Sequence, residues 1–530
     1  MAKQISYQSL TDIGLNGLNT QSNPASLDLS YLVKAENVVI RESGRIAFRK
    51  GFKQKVAPSG TAIASIHEHD DQGTNKIFVS YGTSIYTVDF TSPASAFPSS
   101  GADVKHTVSG SSGDWQFVNF NDRLHCFHAG IVPQRYDGSL GSGSKWTAHA
   151  TKPATVSSGE YKPTCGMGYY GRIWAGGVAE SPDVVYYSNL LDGDDWTGGD
   201  AGLIDLSKIW GIDDVIAIAP FYGKLVIFGK NNIVIYDNPE TVGSLALNEV
   251  IKGVGLVSRD TVQAIGDDLV FLSNTGLRSL ARTTEKDKLP LTDLSVNIKD
   301  TLIRNIGQST NVKSVYVENE GIYIMSFVDK NITYVFDFKH FTPNNAPRIT
   351  TWTFDNDREP ANMTYTETYG LLVGQKDGGI AGYEGYYDTD LAGASTYTYS
   401  SYTSSIATTW INLGESIAAS FLKRLFLVLE GGSGATLGLK WYKDFSPSPS
   451  ETTSITLNPT TTGSTALWGA STSLYGKSGV TYKPIYGLHE YKTPLTGSAK
   501  NLKLEIDIES NGFDASLQDL TLLHKQGKIR

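Results

Sequence analysis

The feature that most constrains this chain is a loose repeat in which a short apolar strand runs into a Gly, Asn or Asp turn and then into a second strand. One copy reads Lys76-Ile-Phe-Val-Ser-Tyr-Gly82, followed by Thr-Ser-Ile-Tyr-Thr-Val-Asp89. Others occupy 224–237, 268–280, 321–337 and 370–383, and two weaker copies open at Arg123 and Arg172. The turn residues tolerate the positive φ that tight hairpins demand, and the flanking β-branched and aromatic residues suit a pleated, half-buried surface. Each copy is therefore expected to be a hairpin. Copies start roughly 45–55 residues apart, the span of a four-stranded propeller blade with its connections. Six or seven blades would fill 59–395 as a β-propeller; a pair of β-sandwiches or a solenoid would use the same hairpins without closing a ring.

At 530 residues the chain exceeds what one hydrophobic core can serve, so a second unit is expected. The repeat stops near residue 396. Beyond it, 426–430, 437–442 and the alternating Leu502-Lys-Leu-Glu-Ile-Asp-Ile508 read as strands of a different all-β unit, a sandwich-like domain over 396–530. The Ser/Thr/Gly/Pro-rich stretch 446–479 reads as long loops.

Residues 1–58 form an N-terminal arm of opposite character. Its first 55 residues carry eight basic side chains (Lys3, Lys34, Arg41, Arg45, Arg49, Lys50, Lys53 and Lys55) against four acids, in a chain of net charge −9. Such an asymmetry suits either an arm that docks on an acidic partner or a solvated surface segment. The acidic whole disfavours tight nucleic-acid binding. No stretch approaches a membrane span, and the first residues lack a signal-peptide core, so cytoplasmic synthesis without membrane insertion is expected. Cys126 and Cys165 are too few for a disulfide framework and read as buried thiols.

The chemistry-bearing residues are sparse. Asp89, Asp137, Asp237 and Asp337 recur at the end of a repeat strand, where aspartate commonly accepts from turn amides. A propeller glycosidase would need such acids to converge on the central tunnel, with aromatics such as Trp115, Trp174 and Trp352. Asp192, Asp194 and Asp195 offer oxygens for Ca2+, but no glutamate closes a calcium loop. His67, His69, His125 and His128 form two close pairs that would hold a metal only if another histidine or carboxylate converged on them. No nucleophile elbow, phosphate loop, dinucleotide fingerprint or zinc-protease helix occurs. No catalytic residue, cofactor site or metal ligand is assigned, and the chain is read as a non-enzyme.

Three N-terminal phrases resemble the start of the tail nozzle (tail tubular) proteins of short-tailed bacteriophages. They are Ile13-Gly-Leu-Asn-Gly-Leu-Asn-Thr20 with Asn23-Pro-Ala-Ser-Leu27, then Ala35-Glu-Asn-Val-Val-Ile40, then Gly44-Arg-Ile-Ala-Phe-Arg-Lys-Gly-Phe52. Gly171-Arg-Ile-Trp-Ala-Gly176 with Val185-Tyr-Tyr-Ser-Asn189, and Lys423-Arg-Leu-Phe-Leu-Val-Leu-Glu430, resemble blade and C-terminal phrases of the same group. The resemblance implies a virion structural protein: a homo-oligomer, six copies in a ring, below a tail adaptor ring and carrying fibres or spikes. DNA would pass through such a ring without sequence-specific binding. On that reading the arm is the docking candidate, with Asn16, Asn19, Asn23, Arg41, Arg45, Arg49 and Lys50 as its contacts. A carbohydrate-binding or carbohydrate-degrading propeller is the alternative, and a cellular propeller scaffold a third.

Overall fold

The computed structural model describes residues 5–41, 44–88, 90, 97, 103–111, 113–280, 293–309, 311–354, 358–392, 396–414, 419–432, 434–457 and 488–527. Every expected hairpin is present, and each forms the second and third strands of a blade. The second copy, for example, gives Lys224–Gly229 paired to Asn232–Asp237. The first strand of each blade, which the repeat did not mark, precedes its hairpin and lies on the inside of the ring.

Blades one to four are free-standing four-stranded antiparallel sheets over 63–107, 116–148, 165–205 and 215–252. Blade five, 263–279, has three strands among the described residues; blade six, 312–352, has four. Blade seven takes three strands from 360–383 and its fourth from the other end of the chain: Phe52–Val56 pairs antiparallel with Ile380–Tyr383. The inner strands follow one another around a closed circle, with Pro360–Thr366 packed beside Ile63–Asp71. A strand from the N-terminal segment therefore closes the propeller. Apolar clusters between neighbouring sheets hold the ring, such as that of Ile227, Trp174 and Val234 between blades three and four.

The C-terminal unit is a sandwich of two sheets, and the N-terminal segment belongs to both. In one sheet the order is Val38–Ile40, Ile46–Phe48, Ala515–Gln526, Ser420–Gly431, Leu488–Pro494, with Ile5–Leu10 also paired to Ala515–Gln526. In the other, Leu32–Glu36 pairs with Thr403–Thr408, which continues to Asn501–Glu509, Thr436–Lys443 and Glu451–Thr456. The expected C-terminal strands are thus present, and Asn501–Glu509 shows the strict burial alternation its sequence predicted. Leu32–Glu36 also runs parallel to the outer strand of blade six through Glu36 and Thr351, so sandwich and propeller share one continuous sheet. Most of 446–479 lies outside the described residues; Glu451–Thr456 within it is an exposed edge strand rather than loop.

Residues 5–56 are accordingly not an arm. Leu32, Val38, Ile46, Phe48, Phe52 and Val56 are each 6 % exposed or less, and burying six such side chains ties the segment to both lobes. Two glycines of the N-terminal phrases serve this path. Gly17 has φ +73°, and a Cβ there would stand 2.7 Å from the Ile349 carbonyl oxygen; at Gly51 it would stand 2.0 Å from the Tyr387 carbonyl oxygen. Only a residue without a side chain lets the chain pass so close to another backbone.

Candidate functional site: the N-terminal seam and the propeller axis

The basic residues of the N-terminal segment do meet acidic partners, and the partners lie in the same chain. Arg41 pairs with Asp514, Arg45 with Glu430 at 3.1 Å, Lys50 with Glu320 at 2.5 Å, and Lys55 with Glu384 at 2.7 Å. Lys34 reaches Glu505 at 3.3 Å, and Lys53 reaches Glu384 at 3.7 Å. Lys3 lies outside the described residues. The charge asymmetry read from the sequence is therefore met by the chain's own later half.

Arg49, expected as a docking contact, is fully buried. Its five donor hydrogens meet five acceptor atoms on four residues: Nε donates to Asn37 Oδ1 (2.9 Å), Nη1 to the Lys50 carbonyl (2.8 Å) and Asp388 Oδ1 (3.3 Å), and Nη2 to the Thr353 carbonyl (3.3 Å) and Asp388 Oδ2 (3.1 Å). The rings of Tyr402 and Phe52 lie 4.1 and 5.0 Å from the guanidinium carbon. The fork shape of arginine is what allows so many directed contacts at once. Asn37, at φ +55°, donates in turn to Thr353 Oγ1 (2.6 Å) and the Thr403 carbonyl (2.8 Å). One knot thus joins blade six, blade seven and the sandwich.

The asparagines serve turns. Asn19, 3 % exposed, accepts from the amides of Gln21 and Ser22 at 3.0 Å, exposed Asn23 accepts from Ala25 at 3.0 Å, and Asn16 donates to Ser30 Oγ at 2.8 Å. Among the expected contacts Asn19 and Arg49 are buried and serve internal roles instead of docking, Asn16, Arg41 and Lys50 are half-buried, and Asn23 and Arg45 are exposed. Two clefts flank the seam. One, about 360 Å3, is polar and includes Lys34, Glu36, Asp388 and Asp507; the other, about 550 Å3, includes Arg41, Lys50, Lys339 and Tyr386.

The propeller axis holds a second charged knot, which sequence reading missed because its members lie far apart along the chain. Lys313, 3 % exposed, stands on the inner strand of blade six and reaches Asp114 Oδ2 at 2.5 Å and Asp260 Oδ2 at 2.6 Å. Arg259 reaches the same two carboxylates at 2.6 and 3.1 Å. Asp114 leads into blade two and Asp260 into blade five, so the four charges bridge the ring across its middle. Burial first, then the charge of Asp260, pushes the Asp114 carboxyl up; burial also opposes ionised Asp260, yet Arg259 and Lys313 hold that carboxyl below the usual range.

The repeated aspartates are not on the axis. Asp137 pairs with Arg123 at 2.9 Å, Asp237 with Lys224 at 3.1 Å and Asp337 with Arg348 at 2.6 Å, each within its own blade; Asp89 lies outside the described residues. Trp115, Trp174 and Trp352 are each 3 % exposed or less and pack in separate inter-blade or seam cores. Acids and tryptophans therefore do not converge as a glycosidase pocket would require.

Histidines do converge, with a member that spacing did not indicate. His125 Nδ1 and His149 Nε2 are 3.0 Å apart, and Asp194 Oδ1 is 3.7 and 3.5 Å from them. The indole N–H of Trp196 donates to His149 Nδ1 at 3.1 Å. Since an indole can only donate, the proton of neutral His149 sits on Nε2 and is given to His125. The nitrogen facing the cluster thus has no lone pair for a cation, and Arg135 already neutralises Asp194. The triplet fits a hydrogen-bonded clamp between blades two and three better than a metal site. Asp192 and Asp195 accept turn amides of Asp194, Thr197 and Gly198, the ordinary use of aspartate in such loops. His67 and His69 do not join the cluster: the first stacks on Phe117 and the second bonds Asn119 at 2.9 Å. His128 packs on Trp115 with ring centres 4.9 Å apart. Cys126 and Cys165 are wholly buried free thiols, and burial pushes Cys165 up to about 12. Among the described residues no helix is long and apolar enough to cross a membrane.

No protein-family model and no curated protein sequence matches the chain. Among solved structures, Raptor from Chaetomium thermophilum is similar at 14 % identity and TM-score 0.42, over 63 % of this chain and 29 % of that one. The Pan2 WD40 domain of Neurospora crassa is similar at 8 % identity and TM-score 0.40, over 66 % of this chain and 98 % of that one. BamB from Moraxella catarrhalis is similar at 10 % identity and TM-score 0.35, over 66 % and 96 %.

Proposed function

We propose that this chain is a non-enzymatic virion protein: the ring-forming nozzle subunit of a short-tailed bacteriophage tail, retaining DNA before ejection and guiding it outward. The observation that carries the reading is where the N-terminal phrases fall. Gly17, Asn19, Asn37, Arg49 and Gly51, all within the phrases that resemble nozzle proteins, are the residues that turn, seal and bolt the seam between propeller and sandwich. A resemblance resting on architecture-determining positions supports a shared architecture more strongly than one resting on surface residues.

The axial knot adds a constraint. Four charges spanning the propeller leave its own tunnel unsuited to passing a duplex, so the DNA conduit of this reading is the opening enclosed by the ring of copies. A net charge of −9 suits a wall that polyanionic DNA slides past without adhering. Attachment to an adaptor ring and to fibres or spikes cannot use the buried Asn19 and Arg49; of the N-terminal set it is left to the exposed Asn23 and Arg45 and the half-buried Asn16, Arg41 and Lys50. Electron microscopy with mass photometry on the purified protein tests the reading. Sixfold rings with an open centre are expected, alone or on addition of the adaptor. A protein that stays monomeric in both conditions refutes it.

A further inference from the structure

The same two-residue hairpin turn joins the first and second strands of blades two, three and four, and the residues placed in it differ in a telling way. In blade two the turn is Asn121-Asp122, in blade three Tyr170-Gly171, and in blade four Tyr222-Gly223. All six have positive φ. Asparagine and aspartate accept that conformation readily, whereas a tyrosine pays for it in conformational energy and does so here without gaining a core. Tyr170 is 44 % exposed and Tyr222 is 64 % exposed. Beside them stand Leu190 and Leu191, 47 and 65 % exposed, with Leu191 also at φ +59° and its carbonyl accepting from Asn121 at 2.7 Å. Three bulky residues thus hold left-handed backbone while displaying apolar surface to solvent. At the rim of this platform, exposed Asp122 stands in the blade-two turn and exposed Glu240 follows Asn232–Asp237 at the same end of blade four, within electrostatic reach of Tyr169; neither has an ion pair among the described residues.

A surface of opposite charge lies on the sandwich. On the outer face of the sheet containing Ser420–Gly431, Phe421 stands across from Lys525, and Arg424 across from Leu523, whose other neighbour is Tyr7. Phe421 and Tyr7 are 47 and 71 % exposed, and Lys423 and Arg424 are exposed without an ion pair among the described residues. This basic aromatic face runs against the acidic trend of the whole chain. The sandwich is fastened to blades six and seven, and in a ring of seven the blade opposite that junction is blade three. The two surfaces therefore sit at opposite ends of the molecule.

We propose that the acidic, tyrosine-tipped platform of blades two to four binds the basic outer face of the sandwich of a second copy of this chain, head to tail. The inference rests on the ring reading above and names its interface. Two different complementary patches make a heterologous contact, the kind that closes a ring when the rotation per subunit permits. Charge complementarity sets register, and the tyrosines supply large contact area at low side-chain entropy cost.

Charge reversal tests it. In sedimentation velocity on the full chain, Asp122→Lys with Glu240→Lys is expected to weaken self-association roughly a hundredfold, as is Lys423→Glu with Arg424→Glu. An equimolar mixture of the two double variants is expected to assemble again, because each restores the complement of the other. Tyr170→Asn with Tyr222→Asn, which suits the positive φ of both turns and is expected to melt no lower than wild type, is expected to weaken association as well. If wild-type rings form and neither reversal disturbs them, the interface is wrong while the ring reading stands. If wild-type protein never self-associates, with or without the adaptor, both fall.

Discussion

Replacing Arg49 by alanine is expected to lower the stability of the seam by about 3–5 kcal/mol, the usual cost of stripping one partner from a buried ion pair. The loss comes chiefly from what remains. Asp388 would keep its burial and its bond from the Phe52 amide at 2.9 Å but lose both guanidinium contacts, and the Lys50 and Thr353 carbonyls would each lose a donor. Lysine is expected to recover only part of this, because a single ammonium cannot reach the five acceptor atoms that the guanidinium fork satisfies. Arg49→Met with Asp388→Leu is expected to be less damaging than either single change, since no unpaired charge is then buried. Denaturant titration gives the total, and hydrogen exchange locates it: early loss of protection is expected in Phe52–Val56, Ile380–Tyr383 and Thr403–Thr408 together. An alanine variant that unfolds at the wild-type midpoint would remove Arg49 from its central place.

Acid is expected to destabilise the first two blades before the carboxylates held below their usual range titrate. Burial, followed by the positive charges of Arg135 and Arg123, pushes His125 down to about 3; burial, then His125 and Arg135, holds His149 well below the imidazole range. Both side chains are 1 % exposed. Above about pH 6.5 folded and unfolded chains both carry them neutral, so stability is flat. Below that, the unfolded chain binds protons the fold refuses, and each histidine costs about 1.4 kcal/mol per pH unit. The window runs from about pH 6.5 down towards pH 4, where carboxylates held below their normal range, such as Asp71 and Asp137, begin to contribute their own loss. His67, His69 and His106 shift in the same direction, and all three belong to blade one. The check is stability against pH for wild type and for His125→Asn with His149→Gln. The variant is expected to be weaker at neutral pH but to show a slope shallower by about two protons between pH 6 and pH 4.5. Equal slopes would mean these histidines already protonate in the fold.

The hairpins of the propeller were legible because their evidence is local. Lys224–Gly229 and Asn232–Asp237 are apolar strands flanking a two-residue polar turn, and no distant residue is needed to recognise them. The inner strands gave no such signal. Ile63–Asp71 carries His67, Glu68, His69 and Asp70, because a strand facing the axis has polar neighbours and loses the clean alternation of a half-buried sheet. The C-terminal strands were legible for the same reason as the hairpins, while the first strands of the sandwich, Leu32–Glu36 and Val38–Ile40, hid within a segment that reads as basic and turn-rich. At the histidine clamp, His125 was visible as a candidate but His149 and Trp196 were not, since His149 follows the outer strand of the same blade 24 residues on and Trp196 comes from blade three.

By itself, then, the sequence determined an all-β chain with a hairpin repeat, a change of unit near residue 396 and an N-terminal segment whose basic charge could meet acids or stay in solvent. Which acids was a tertiary decision. Lys50 meets Glu320 and Arg41 meets Asp514 across separations of 270 and 473 residues, and nothing in local pattern ranks those acids above others or above a partner protein. Charge is long-ranged and unspecific until packing brings particular side chains within hydrogen-bond distance and excludes water. Closing the ring with Phe52–Val56 is what put Arg49 into the one buried niche where its five donors are all needed, and turned a presumed docking arm into the seam that holds the molecule together.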